Sequence, residues 1–271
     1  MEWRALLQRF DLSGTRGGGL NKVEANEVLR GLRKSNIRRP DVVLQLGPVV
    51  ETTLSEAEQL QLYEQMFLAS LDMKMDDKAN TYLDKLSRQL SDCGRVQRLK
   101  GMQLEAKGDY DGAIALYDRL LQENPANISV LQRTAATYKA QGNFNEALSE
   151  LNKIVELNSA DATVWNEIAD IHIRLSNYDE AAFCLEEVVL LDPNNHLTQS
   201  KLGDLYYSMG NGFYPFVDYL PRSIGGLNNF LKARRHYTAS LNILKGKLNV
   251  RALYALSLCC QNIAEEAQLR P

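Results

Sequence analysis

The middle of this chain repeats itself with a fixed period. Four alanines recur at a constant interval of 34 residues, at Ala79, Ala113, Ala147 and Ala181. A short turn containing glycine, asparagine or aspartate precedes the last three, as in Gly108-Asp109-Tyr110 before Ala113. A period of this length predicts a stack of similar supersecondary units, in which each unit buries its apolar surface only against its neighbours.

The residues around those alanines indicate two antiparallel helices in each unit. A small residue is needed where two helices cross closely. A larger residue follows four positions later, at Tyr117, Leu151 and Leu185, and prolines stand where two of the second helices should end, at Pro125 and Pro193. A 34-residue helix pair is the tetratricopeptide repeat. The predicted fold class is therefore all-α, a tetratricopeptide-repeat α-solenoid in which antiparallel helix pairs form a right-handed superhelix.

The repeat register divides the chain into three parts. Residues 1–54 are predicted to be a helical or irregular N-terminal segment, residues 55–247 the repeats, and residues 248–271 a C-terminal capping helix. Repeats are expected at about 55–91, 94–127, 128–161, 162–195 and 196–245. The first of these is degenerate and is included because Ala79 stays in phase. Within the N-terminal segment, Val23, Val28, Leu29 and Leu32 are predicted to share one face of a helix over 21–34.

The last repeat contains an insert. The alanine expected in its second helix appears 18 residues late, at Ala233, so an insert is predicted at 211–228. This insert is unusually aromatic for a loop. One interpretation is that the insert folds back and covers the solenoid. The other is that it anchors the chain to a partner or a membrane, because exposed aromatic patches commonly mark interaction sites.

Composition excludes several classes of function. The hydrophobic fraction of 45% and the charged fraction of 24% are typical of a folded soluble protein. A net charge of −3 gives no electrostatic footprint for nucleic acid, so no nucleic-acid partner is expected. No apolar run approaches the roughly 20 residues of a membrane-spanning helix, and no signal peptide is recognisable. Membrane contact is therefore expected only through partners.

The sequence offers little for catalysis or for a cofactor. The cysteines Cys93, Cys184, Cys259 and Cys260 lack metal-binding C-x-x-C spacing, and reduced, partly buried thiols are expected. The histidines His172, His196 and His236 have no nucleophile or carboxylate at a spacing that suggests a triad. The glycine-rich stretch 13–19 lacks the Gly-Lys-Ser/Thr of a phosphate loop. We predict no enzyme activity, no cofactor and no metal.

A solenoid of helix pairs has a concave surface lined by first helices, and that surface is the candidate binding site. Its mixture of charges and amides suits an extended or helical segment of a partner, although the same side chains could simply form a solvated face. Met102 and Ala136 stand where a clamp for a C-terminal carboxylate would need polar groups, which argues against that kind of co-chaperone. The candidate positions are Arg98, Met102, Glu105, Gln132, Lys139, Asn166, Asp170, Arg174, Asp204 and Tyr207.

The sequence also resembles one particular repeat family. The stretch Ala181–Glu187, followed by Pro193–Leu197, is similar to the ER membrane protein complex subunit 2 family, and the similarity extends over about residues 60–265. The insert at 211–228 departs from the family pattern. Supporting stretches are Gly101-Met102, Glu105-Ala106, Tyr110-Asp111, Ala113-Ile114, Leu116-Tyr117-Asp118, Lys139-Ala140-Gln141-Gly142 and Arg251-Ala252-Leu253.

The resemblance implies a non-enzymatic scaffold on the cytoplasmic face of the endoplasmic reticulum membrane. Its partners would be the other subunits of the ER membrane protein complex, whose cytosolic tails and domains it would bind. Through them it would support the insertion of tail-anchored and multipass membrane proteins. The alternatives are a free tetratricopeptide co-chaperone or adaptor that binds peptide tails and, less favoured by the residues, an enzyme that uses the histidines.

Overall fold

Helices make up all the regular structure that the computed structural model describes, over residues 2–13, 19–91, 93–210, 222–244 and 249–268. This confirms the predicted all-α class. A short 3-10 turn covers Glu51–Thr53. The helices are α1 (Glu2–Ser13), α2 (Lys22–Lys34), α3 (Pro40–Val50), α4 (Glu56–Asp72), α5 (Asp76–Leu90), α6 (Gly94–Lys107), α7 (Tyr110–Glu123), α8 (Ile128–Gln141), α9 (Phe144–Leu157), α10 (Ala162–Arg174), α11 (Tyr178–Leu191), α12 (His196–Gly210), α13 (Arg222–Ile243) and α14 (Val250–Gln268).

These helices fall into two compact units, residues 1–141 and 142–271. In the first unit, one apolar cluster joins α2, α3 and α4 around Val28, Leu46 and Met66. A second cluster joins α4, α5 and α6 around Phe67 and Leu99. In the second unit, α10 packs on α11, α11 on α12, and α13 on both α12 and α14. Within each unit, the helices therefore pack mainly against their neighbours in the chain, as expected for repeated helix pairs.

The four alanines that define the period are all fully buried, at Ala79, Ala113, Ala147 and Ala181. Each lies on the second helix of a pair, in α5, α7, α9 and α11 respectively. The larger residues four positions later are buried as well, at Tyr117, Leu151 and Leu185. Because these positions are fully buried, a larger side chain would have to displace packed neighbours, which favours a small residue there.

The turn inside each pair has the same backbone geometry. Four residues spaced 34 apart have positive φ: Lys74 (54°), Gly108 (83°), Gly142 (84°) and Ser176 (61°). At the turn after α10, the N–H groups of Ser176 and Asn177 donate to the carbonyls of Ile173 and His172, and the equivalent bonds follow α4 and α6. This left-handed position favours glycine, because a Cβ atom crowds the following carbonyl. The period thus extends to α4 and α5, although Lys74 is not a glycine.

The turn geometry makes a prediction for stability. Ser176→Gly should stabilise the protein by about 1 kcal/mol, because glycine removes the left-handed penalty of a non-glycine residue. The matched change Gly142→Ser, one repeat earlier, should destabilise it by a similar amount. Denaturant unfolding of the two variants beside the wild type measures both effects. A loss of stability in Ser176→Gly would contradict this account of the turn.

The second helices end at equivalent positions with or without proline. The residues Asn124, Asn158 and Asp192 follow α7, α9 and α11 and share nearly the same dihedral angles, with φ of −142°, −149° and −135°. Pro125 and Pro193 follow two of these ends, whereas Ser159 follows the third. Proline therefore accompanies the helix end but is not required for it.

Part of the predicted insert is helical. Helix α13 begins at Arg222, so residues 222–228 extend this helix toward the N-terminus instead of forming a loop. The remaining positions, 211–221, lie outside the described residues. Beyond the insert, Ala233 and Tyr237 are buried in α13, at the places that the 34-residue register and the 18-residue shift assign to them.

The N-terminal segment contains three helices, α1 to α3. Pro40 is the first residue of α3, where its missing N–H group has no intrahelical partner to lose. The prediction that Val23 lies on the buried face of α2 is wrong, since its side chain is 73% exposed. The buried stripe is Ala25, Val28, Leu29 and Leu32. Val23 is five residues from Val28, a spacing that places the two side chains on nearly opposite sides of a helix.

Two close helix crossings depend on glycine. A Cβ atom on Gly101 of α6 would collide with the ring of Tyr117 on α7. In the last repeat, a Cβ atom on Gly203 of α12 would lie 2.8 Å from the ring of Tyr237 on α13. In α10 and α11 the same two positions hold Ala169 and Leu185, both buried. A glycine thus stands opposite the large ring, and an alanine occurs where the opposing position is the smaller leucine.

Candidate partner-binding face

The ten candidate residues lie on first helices of the pairs, as the register requires. Helices α6 and α8 carry five of them in the first unit, and α10 and α12 carry five in the second. The structure describes all ten. They differ in how much they are buried and in how many hydrogen bonds and ion pairs they form within the chain.

Both carboxylate oxygens of Glu105 accept hydrogen bonds from other helices. Tyr117 Oη donates a hydrogen bond to Glu105 Oε1 at 2.5 Å, and Arg133 Nη2 donates to Glu105 Oε2 at 2.5 Å. Burial raises the pKa of Tyr117, and the hydrogen bond to Glu105 raises it further. Glu105 therefore ties α6 to α7 and α8, so its first role is structural.

Arg98 and Met102 also face other parts of the first unit. Arg98 Nη2 lies 3.3 Å from Glu64 Oε1 on α4, and Arg95 pairs with the same carboxylate. Met102 is half-buried against the cluster around Phe67. Gln132 is exposed and Lys139 is half-buried on α8. Gln132 is accordingly the candidate on these two helices whose side chain is most open to a partner.

The candidates on α10 are more accessible. Asp170 forms an exposed ion pair with Lys201, with 2.7 Å between Oδ1 and Nζ. Arg174 is exposed, and its guanidinium lies 5.9 Å from the centre of the Phe144 ring. Asn166 donates from Nδ2 to the carbonyl of Ala162 on its own helix at 3.1 Å. Exposed pairs of this kind contribute little to stability, so Asp170 and Arg174 can exchange their present contacts for those of a partner.

The candidates on α12 form hydrogen bonds with α13 and α14, the last two helices. Asp204 accepts hydrogen bonds from Tyr237 Oη at 2.8 Å and from Arg251 Nη2 at 2.6 Å. Tyr207 Oη accepts one from Asn262 Nδ2 at 3.1 Å. Arg251 and Asn262 both belong to α14. The C-terminal helix therefore occupies positions on α12 that the sequence offers to a partner.

A groove of about 530 Å³ lies between the N-terminal segment and α4, where the sequence predicted no binding site. Apolar residues of α2 to α4, such as Leu32 and Leu68, form part of its lining. Its arginines are largely paired with nearby carboxylates: Arg38 with Asp72, Arg39 with Asp11 and Asp41, and Arg95 with Glu64. The groove therefore offers an apolar surface with little uncompensated charge.

The three histidines considered for catalysis lie on three different helices, α10, α12 and α13. His236 Nδ1 lies 2.9 Å from Gln199 Oε1, and its ring stacks on Tyr206. His196 is the first residue of α12. Cys184 and Cys259 are buried, and burial raises the pKa of each thiol to about 11. In the described ranges, no group of histidine, cysteine and carboxylate side chains is arranged to hold a metal ion. None of the described helices combines the length and apolar character needed to cross a membrane.

Comparison with known proteins identifies the repeat region. Residues 90–208 match the family model of the EMC2 TPR-like repeat domain. This segment, which is less than half of the chain, is similar to that family. The match confirms the similarity to ER membrane protein complex subunit 2 that the stretch Ala181–Glu187 indicated. The EMC2-type segment contains α6 to α11 and most of α12, and so carries all ten candidate residues.

Curated relatives agree with this assignment. ER membrane protein complex subunit 2 of Xenopus tropicalis is 34% identical over 121 residues, which cover 43% of this chain and 40% of the relative. The protein of the same name from Dictyostelium discoideum is 28% identical over 128 residues, covering 45% and 40%. The matched region thus spans about two fifths of the length of these relatives.

A solved structure agrees with the fold. The pilF protein of Pseudomonas aeruginosa superposes with a TM-score of 0.51 at 16% identity, covering 79% of this chain and 91% of that protein. At this level of identity the likeness shows the fold alone. Together with the EMC2-type segment, it confirms a tetratricopeptide-like helical fold.

Proposed function

We propose that this chain is a non-enzymatic scaffold subunit of the ER membrane protein complex, positioned on the cytoplasmic face of the endoplasmic reticulum membrane. The match of residues 90–208 to the EMC2 TPR-like repeat domain carries this proposal. In this role the chain binds cytosolic tails and domains of the membrane subunits. By holding those subunits together it supports the insertion of tail-anchored and multipass membrane proteins.

The physical basis of the proposal is the rigidity of the helix pairs. Buried alanines, close helix crossings and repeated turns hold the first helices in place before any partner arrives. A flexible tail that docks on them loses conformational entropy, whereas the ordered scaffold loses little. The exposed charges of α10, Asp170 and Arg174, are the side chains best placed to select such a tail, because the fold engages them only weakly.

Reversing these two charges tests the proposal. The double variant Asp170→Lys with Arg174→Glu should reduce co-purification of the membrane subunits about tenfold, corresponding to ~1.4 kcal/mol of binding free energy. The variant is affinity-purified from detergent-solubilised membranes, and the associated subunits are quantified by mass spectrometry. Its thermal unfolding should match that of the wild type, since the ion pair between Asp170 and Lys201 is exposed.

The matched control reverses one basic and one acidic side chain on α9, the second helix of its pair. Lys153 and Glu156 are both exposed on α9, and the double variant Lys153→Glu with Glu156→Lys should leave co-purification unchanged. If the α10 variant retained all membrane subunits, the assignment of this face would be refuted. Absence of those subunits from the wild-type purification would refute the scaffold function itself. Capture of a chaperone tail peptide in their place would favour the free co-chaperone hypothesis.

A further inference from the structure

A second cavity, of about 430 Å³, lies between α9, α10 and α11 of the second unit. Trp165 and His172 line it from α10, and Asp179, Glu180 and Phe183 line it from α11. At about 100° per residue, Trp165 and His172 lie on one side of α10, whereas Asp170 and Arg174 lie on the opposite side. The cavity is therefore separate from the candidate partner-binding face.

The repeat fold does not require an aromatic residue at position 183. Phe183 is 55% exposed, although it belongs to a helix that buries Ala181, Cys184 and Leu185. The equivalent positions in the earlier second helices hold Thr81, Ala115 and Ser149, all exposed. The fold therefore accepts small side chains at this position. A large exposed aromatic residue there increases apolar surface in contact with water, and such surface commonly marks an interaction site.

Phe183 forms an aromatic pair with Trp165. The ring centroids are 6.0 Å apart with an angle of 79° between the planes, an edge-to-face arrangement. The indole Nε1 of Trp165 donates to the carbonyl of Ser159 at 2.9 Å, which fixes the orientation of the ring. The two rings thus form a wall of the cavity, and the negative face of an aromatic π-system attracts a cation.

The charges around the aromatic pair have one sign. Asp179 and Glu180 are exposed at the cavity, and within the described ranges neither forms an ion pair. Among the described residues that line the cavity, none is a lysine or an arginine. The Nδ1 atom of His172 is buried and lacks a hydrogen-bond partner in the described part of the chain. Two carboxylates beside two aromatic rings form a surface complementary to a positive charge.

We infer that this cavity binds an arginine side chain presented by a segment of a partner protein. A guanidinium stacks on an aromatic ring and at the same time donates N–H groups to carboxylates, so it uses both parts of the surface. A quaternary ammonium, such as a lipid choline group, would fill the aromatic part but has no N–H group to donate to Asp179 or Glu180. The inference rests on these contacts and not on the proposed scaffold function.

The two tryptophans of the chain allow a direct test in the full-length protein. Trp165 lies in the cavity and Trp3 lies in α1 of the other unit, so the indole signals of a ¹⁵N-tryptophan-labelled sample report the site and an internal reference. The probe is a capped pentapeptide with two arginines among alanines. It should shift the Trp165 signal saturably, with a dissociation constant in about the millimolar range, and leave Trp3 unmoved. Added salt should weaken the binding.

Three comparisons decide the outcome. The same peptide with glutamates in place of the arginines should give no saturable shift of Trp165. Phe183→Ser, which installs the residue found at position 149, should weaken arginine-peptide binding about threefold or more. Leu190→Ser is the matched control, because Leu190 is 73% exposed on the same helix and does not line the cavity. It should bind like the wild type.

Other results would overturn the inference. An unmoved Trp165 signal, or equal shifts with the arginine and glutamate peptides, would exclude an arginine site. A saturable shift with phosphocholine but not with the arginine peptide would assign the cavity to a lipid headgroup. Each of these results can occur whether or not the α10 charge reversal weakens co-purification. Failure of this inference is therefore distinguishable from failure of the proposed function.

Discussion

An Ala181→Arg protein is expected to lose its cooperative thermal unfolding transition or to melt far below the wild type. Ala181 is fully buried on α11, in a helix pair that is closely packed. Arginine there must displace neighbouring side chains and leave a charge without solvent or a counterion. Overpacking costs about 1–3 kcal/mol, and a buried unpaired charge costs several kcal/mol more, so the sum is comparable to the entire stability of a small domain.

The control for this experiment lies on the same helix. Leu190 is largely exposed, so Leu190→Arg introduces the same side chain at a solvated position and should melt within a few degrees of the wild type. Circular dichroism at 222 nm during heating measures both variants. If Ala181→Arg and Leu190→Arg melted alike, the repeat register would be wrong, and with it the assignment of every candidate residue on α10 and α12.

A Gly101→Ala protein is expected to lose roughly 2 kcal/mol of stability, although alanine is the better helix former. The new Cβ atom would collide with the ring of Tyr117, which is itself fully buried on α7. Neither the ring nor the helices can move far without opening the packed interior, so the helix crossing must shift. Chemical denaturation of the wild type and the variant gives the difference in the free energy of unfolding.

A second substitution makes the prediction specific to this pair of side chains. Tyr117→Leu removes the ring and its hydrogen bond to Glu105, so it should be destabilising alone. In the double variant the collision is absent, and the pair becomes alanine opposite leucine, as at Ala169 and Leu185. The double variant should therefore be more stable than the sum of the single effects predicts, by about 1 kcal/mol or more. If the two single changes in the free energy of unfolding added up to that of the double variant, Gly101 and Tyr117 would not be in contact at the helix crossing.

The glycine–tyrosine pairing illustrates how the repeats vary without changing the fold. Both members of the pair change together: glycine stands with tyrosine in α6 and α7 and again in α12 and α13, while alanine stands with leucine in α10 and α11. In these repeats a smaller residue accompanies the larger ring, whereas the same two positions in α4 and α5 hold two large buried residues, Phe67 and Leu83. The 34-residue period therefore specifies positions, and in the later repeats the two residues at a crossing adjust to one another.

Much of the fold was predictable because the relevant signals are local. The alanines, the larger residues four positions later and the turns recur at one period, and each signal acts within a single helix pair. Val23 shows the limit of this reasoning, since an apolar residue near a buried stripe still lies outside it when the helical phase is wrong. Helix α13 shows a second limit of this reasoning. It begins at Arg222, and the repeat pattern contains no signal for that extension.

The candidate site was less predictable, and the reason is the sequence distance between contacting groups. Glu105 meets Arg133 from 28 residues away, and Asp204 meets Arg251 from 47 residues away. No spacing rule within one helix connects such pairs. Phe183 is different, because an aromatic residue where other repeats carry serine, alanine or threonine was visible in the sequence. Only its exposure and its contact with Trp165 gave that observation a meaning.

The sequence by itself determined that this protein consists of helix pairs, where each pair turns, and which small residues lie at the crossings. These properties follow from helical periodicity and from the space between two neighbouring helices, both of which repeat along the chain. The tertiary structure decided which polar side chains on the first helices remain open to a partner. That outcome depends on which distant residues, such as those of α14, come to lie beside them, because a charge already paired within the fold has less to offer to another chain.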